Sequence, residues 1–225
     1  INSDILSTTG HITLKAATDI LVGDSSASGV DITTATAGTI SLDAEAGALT
    51  MAGDAAITAT DSSLRLNATT DITVGNLLAQ NISLVADAGA IINAGDSSKN
   101  ITGTNLRLQA NGDIASGTAH LTTNIDNISA YSATGSIYLT EDNGATVTSS
   151  RVAVTDFNSD ATSTEVIDAA QSDLTTGADG SIVLIVNAGD LTLNDGDSSV
   201  TQSNGDSREA NGTSVNSNGA GNILL

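Results

Sequence analysis

The sequence predicts an all-β fold: a single-chain parallel β-solenoid of about eight coils, each with three short strands. Short strands of the form apolar-x-apolar-x-Ala recur along the chain: ITLKA (12–16), ISLDA (40–44), LRLNA (64–68), ISLVA (82–86) and LRLQA (106–110). They return every 18 to 28 residues, the self-similarity that marks stacked repeats, and no segment carries a helical period. The core has to be aliphatic, because 225 residues contain two Tyr, one Phe and no Trp, Pro or Cys, whereas globular cores normally draw on large aromatic side chains.

The elements of each repeat follow in a fixed order. After the first strand comes a small turn, usually with glycine, as in AEAG, ADAG and QANG. A second strand follows: DILVG (19–23), ALTMAG (48–53), DITVG (71–75), AIINAG (90–95), SIYLT (136–140) and DLTLNDG (190–196). A variable loop then leads to a third strand: DITTAT (31–36), AITAT (56–60), NLLAQ (76–80), NITGT (100–104), HLTTN (120–124) and ATVTS (145–149). ISAYS (128–132), VAVTD (152–156) and IVLIV (182–186) read as weaker copies of the first strand. Residues 1–225 thus form one continuous solenoid, with an irregular coil at 156–180 and a long Asn/Ser/Gly-rich surface loop at 200–221. Period-two alternation points Ile40, Leu42 and Ala44, and their counterparts in other repeats, inward, and Arg65 and Arg107 outward to solvent.

The turns carry their own grammar. GDSS occurs at 23–26, 95–98 and 196–199, each time after a second strand. It reads as a corner, since Gly permits positive φ and Asp and Ser bond their own turn backbone. The residue just before the first strand is Asn at Asn81, Asn105, Asn127 and Asn222. Asn tolerates left-handed corners, and stacked Asn side chains bond one another in a ladder. These four are the predicted structural ladder.

Charge restricts the function. The chain has 26 acidic and 6 basic residues, a net charge of −20, which argues against nucleic acid as a partner. No apolar run reaches membrane length, so membrane insertion is not expected. Calcium is the one cofactor the sequence suggests. NDGDSS (194–199) and TEDNG (140–144) group hard oxygen donors, with Asp195, Asp197, Glu141 and Asp142 as candidate ligands. N-x-S/T sequons make Asn67, Asn100 and Asn211 candidate glycosylation sites. His11, His120, Lys15 and Lys99 are dispersed, and no carboxylate pair recurs at one offset on neighbouring coils. An enzyme is therefore not expected.

The ISLxAxxGxI coil, with its Gly/Asn/Asp/Ser/Thr turns and no Cys or Pro, resembles the repeat regions of large bacterial surface proteins, such as filamentous-haemagglutinin-like and autotransporter-type adhesins. The resemblance covers most of residues 1–200. It implies a right-handed parallel β-helix displayed extracellularly as a stalk or filament. Joined end to start, GNILL (221–225) and INSDILSTTG (1–10) read as a continuing coil, so the expected partner is the chain itself, head-to-tail or as one unit of a longer tandem array. The alternative is an adhesin module that binds glycan or a host surface through 156–180 or 200–221. A carbohydrate-active β-helix enzyme is the least favoured reading.

Overall fold

The structure is a computed structural model and describes residues 1–23, 29–95, 100–195 and 212–225. Among these residues the chain is all-β, without a helix, and most of its strands form a parallel sheet that curls around an aliphatic core. Its 23 strands are numbered β1–β23 along the chain.

Three columns of parallel strands account for nearly all the pairing. The first column stacks β2 (Ile12–Ala16), β5 (Ile40–Ala44), the second half of β7 (Ala56–Ala68), the second half of β9 (Asn76–Ala86), β12 (Asn105–Ala110) and β14 (Asn127–Ser132). Two short strands share the next position: β16 (Ala145–Val147) pairs with the start of β14, and β19 (Leu174–Thr176) with its end. Beyond them lie β21 (Leu191–Leu193) and β22 (Val215–Ser217). The eight positions are called levels 1 to 8.

The second column stacks β3 (Ile20–Val22), β6 (Leu49–Met51), β8 (Ile72–Val74) and β10 (Ile91–Asn93). It continues through Ile114 to β15 (Ile137–Glu141), β20 (Ile182–Val186) and β23 (Ile223–Leu224). The third runs from β1 (Ile5–Ser7) and β4 (Asp31–Thr34) through the first halves of β7 and β9 to β11 (Ile101–Thr102), β13 (Leu121–Asn124) and the end of β15.

Register explains why the core needs no aromatics. Ile40, Leu64, Ile82, Leu106 and Ile128 lie one above another, as do Ile32, Ile57, Leu77 and Ile101. Nearly all are completely buried, and each such side chain contributes about 1.5–3 kcal/mol. The sheet curls where the third column passes into the first. In β7 this bend falls at Asp61, whose φ is 55°, and the register shifts between Ala59 and Ser63.

The corner before the second column repeats with a period of two levels. The Asp19, Asp71, Asp113 and Asp179 carboxylates accept the backbone N–H of Ala48, Ala90, Ser136 and Ala220, respectively, each on the next level. The facing turn carries Gly47, Gly89 or Gly135, where a Cβ would run into the Asp19, Asp71 or Asp113 carboxylate. Removing one such hydrogen bond at an exposed corner should cost about 1 kcal/mol, so Asp71→Ala should lower the urea midpoint modestly. No change, or global unfolding, would contradict that role.

Several sequence expectations are corrected. VAVTD (152–156) is not a first strand: β17 (Ala153–Phe157) pairs antiparallel with β18 (Ser163–Ile167) in a hairpin inserted between β16 and β19. The 156–180 segment is therefore part hairpin and part return to the sheet through β19. ATVTS (145–149) supplies β16 of the first column rather than a third strand, and IVLIV is β20, under β15 in the second. Third and first strands fuse in β7 and β9, so three separate strands per coil is not the general pattern. Within 200–221, Val215–Ser217 is strand β22 rather than loop, while 200–211 lies outside the described residues. Gly23 and Gly95 open the first two GDSS turns with φ of 73° and 87°, as a corner requires; the rest of all three turns lies outside the described residues.

Candidate functional site

The predicted ladder forms over three levels. Asn105 Nδ2 donates to Asn81 Oδ1 at 2.7 Å and Asn127 Nδ2 to Asn105 Oδ1 at 2.9 Å, while Asn81 Nδ2 reaches Ser63 Oγ at 3.3 Å. Each amide thereby fixes the register of the strand it begins. Asn222 does not belong to it. Its N–H donates to Ser181 Oγ, and the Ser181 N–H donates to Ser136 Oγ. That stack stands at the entry to the second column, because Ile223 follows Ile182 and Ile137 there. A polar residue before an apolar pair is written alike at both corners.

Of the candidate calcium ligands, Glu141 and Asp195 accept hydrogen bonds from backbone N–H groups and Asp142 accepts one from a side chain. Glu141 is 1% exposed and points into the core below Thr123. Its Oε2 accepts from Thr123 Oγ1 at 2.5 Å, and its Oε1 from the N–H groups of Ile125, Asp142 and Asn143 at 3.3, 3.0 and 3.2 Å. Those donors occupy the positions a cation would need. Asp142 accepts from Asn187 Nδ2, and Asp195 from the N–H groups of Gly212 and Thr213. Asp197 lies outside the described residues. No group of three or more His, Asp or Glu able to hold a metal ion occurs among the described residues.

The sequons fare similarly. Asn100 is 1% exposed, with Nδ2 donating to Asn93 Oδ1 and Oδ1 accepting from the Thr122 N–H, so the folded chain offers no amide there for a glycan. Asn67 is half-buried, donating to Asp43 Oδ1 and accepting from Arg65 Nη2. Asn211 lies outside the described residues.

The densest polar assembly was not foreseen. The β17–β18 hairpin folds back over the outer face of the first column, against β2, β5 and β7. Register places Thr13, Ser41, Arg65, Ser83, Arg107 and Ser129 in one outward row beneath it. Val152 and Val154 give the hairpin a buried apolar underside.

Three sets of contacts hold it. At the base, Ser150 and Gln171 exchange backbone hydrogen bonds, Gln171 Nε2 donates to Leu108 O at 2.8 Å, and the hydroxyls of Ser129 and Ser150 pair. Arg107 donates from Nε to Ala169 O at 3.0 Å, from Nη2 to Gln109 Oε1 at 2.6 Å and from Nη1 to Ser83 Oγ at 3.4 Å. In the middle, Arg65 Nε meets Asp168 Oδ1 at 2.9 Å. Near the tip, Lys15 Nζ meets Asp156 Oδ2 at 3.0 Å, the Thr155 N–H donates to Thr39 Oγ1, the Phe157 N–H donates to Thr13 Oγ1, and the Phe157 ring lies 6.1 Å from that of His11.

The electrostatics follow from burial. Arg107 is 1% exposed rather than solvated, which corrects its reading as an ordinary outward charge. Burial pushes its guanidinium below the usual value; the Asp168 charge opposes this and the Arg65 charge adds to it. The hydrogen bond to Asp156 holds the Lys15 ammonium above its usual value, with burial opposing and the Asp156 charge adding to the rise. Lys15, Arg65 and Arg107 are half of the chain's six Lys and Arg residues, so the few cations are concentrated beneath one hairpin. Their donors are directed at the hairpin and at neighbouring side chains, an arrangement for anchoring. The usable signal was the run VAVTDFNSDATSTEVI, two alternating segments around a polar turn. Comparison with protein-family models, with curated proteins and with solved structures finds no match for this chain.

Proposed function

We propose that the chain is a β-solenoid segment with a structural role, a spacer within an extracellular stalk or filament that continues by tandem repetition or head-to-tail association. One observation carries this reading: residues of like size stack in register from level to level along three parallel columns. Such an array is quasi-one-dimensional and extends by adding levels, with no change of design. Each level adds ~4.8 Å of length, and the −20 charge sets up repulsion between rods lying side by side.

The alternative of recognition through an irregular loop carrying the aromatics is not favoured. Phe157 packs on His11 and Tyr138 against His120, while Tyr131 lies beside Gly177; the three do not form one patch. Negative-stain electron microscopy of the native material tests the proposal. Uniform rods much longer than the ~38 Å of eight levels at ~4.8 Å each are the expected result. Short isolated particles would overturn the filament reading.

A further inference from the structure

We infer that the β17–β18 hairpin is a strap that couples distant levels, so that the order of levels 1 to 3 depends on a segment inserted at level 7. In a stack where each level touches only its neighbours, stability is a sum of local terms, and end levels open without consulting the rest. The hairpin breaks that rule. Its contacts join residues 144, 116 and 103 positions apart: Phe157 to Thr13, Thr155 to Thr39, and Asp168 to Arg65. At the other end its base is bound to levels 5 and 6 through Arg107, Leu108 and Ser129. The hairpin therefore spans most of the first column from outside.

The row beneath is shaped to receive it. Odd levels 3 and 5 present the long cations Arg65 and Arg107, and even levels 2, 4 and 6 present Ser41, Ser83 and Ser129. Small residues between long ones leave room for Val152 and Val154 to descend. Asp156 and Asp168 each place one oxygen on a cation, while Asp156 Oδ1 and Asp168 Oδ2 are buried with no protein partner. A half-satisfied buried carboxylate is costly wherever its cation is withdrawn, so strap and sheet each enforce the position of the other.

Hydrogen exchange read by mass spectrometry on the full chain tests this. Asp156→Asn with Asp168→Asn weakens the middle and tip anchors while keeping side-chain shape. The expected result is exchange accelerated about tenfold or more in β2, β5 and the second half of β7, with β14, β15 and β20 unchanged. Lys15→Met, which removes only the half-exposed tip cation, should accelerate β2 alone, and it guards against failure of the double variant to fold. Asp160→Asn, at the exposed turn where Asp160 bonds Thr162, should change nothing on the sheet. Acceleration spread equally over all strands, or none in β2 in either variant, would overturn the strap.

Discussion

Glu141→Ala is expected to destabilise the chain by on the order of 4 kcal/mol, seen as a large drop in urea midpoint with little change in slope. The side chain is 1% exposed and accepts four hydrogen bonds, three of them from backbone N–H groups at one corner. Truncation removes a charge-assisted acceptor worth about 1.5–3 kcal/mol per strong bond, strands the buried Ile125 N–H, and leaves the Thr123 hydroxyl only its long contact to Thr140 O. Glu141→Gln keeps the shape and one carbonyl oxygen, so it should cost clearly less than alanine. If alanine costs under about 1 kcal/mol, the corner is held by something else. Were Glu141 a calcium ligand instead, chelator would reproduce the alanine effect in the native chain; the inward geometry predicts that chelator does not.

Arg107→Ala should cost about 2–5 kcal/mol, since truncating this large buried side chain leaves a cavity and removes three hydrogen bonds. Here the losses are the donors to Ala169 O, Gln109 Oε1 and Ser83 Oγ beneath the hairpin base. Arg107→Met separates packing from charge. Burial disfavours the charged guanidinium and lowers its pKa, and a thioether of similar length fills the space without that penalty. Methionine is therefore expected to recover at least about 1 kcal/mol of the alanine loss. Equal losses in the two variants would mean that the hydrogen bonds, and not the packing, hold the base.

How far the sequence could be read depends on whether the deciding contact was local. ISLDA, LRLNA and ISLVA are strands whose partners are copies of themselves, so alternation alone put Leu42, Leu66 and Leu84 in the core. The ladder of Asn81, Asn105 and Asn127 was legible for the same reason. Asn222 misled because two corners share one local pattern, and only long-range register separates them. Arg107 looked solvent-bound because its cover comes from residues about 60 positions later, at Ala169. VAVTD alternates as a weaker copy, with Asp156 at the Ala position, and what excludes it from the sheet is competition: β16 and β19 occupy the place between them. Glu141 was within reach, because counting by two from Ile137 and Leu139 lands on it. A cluster of acidic residues in a turn suggested a cation, whereas period two already pointed this one inward.

The alternating Asp corner has a consequence for how such a chain can grow. Asp19, Asp71 and Asp113 sit on levels 1, 3 and 5, and each is answered by a glycine turn on the level that follows. Loss of a single level would bring two carboxylates, or two glycine turns, face to face, and the backbone N–H would lose its acceptor. Gain or loss of two levels together would leave every corner matched. The heritable unit of length is therefore a pair of levels, about 9.6 Å along the stack at ~4.8 Å each. Sequences that lengthen or shorten this sheet by duplication should do so in even steps.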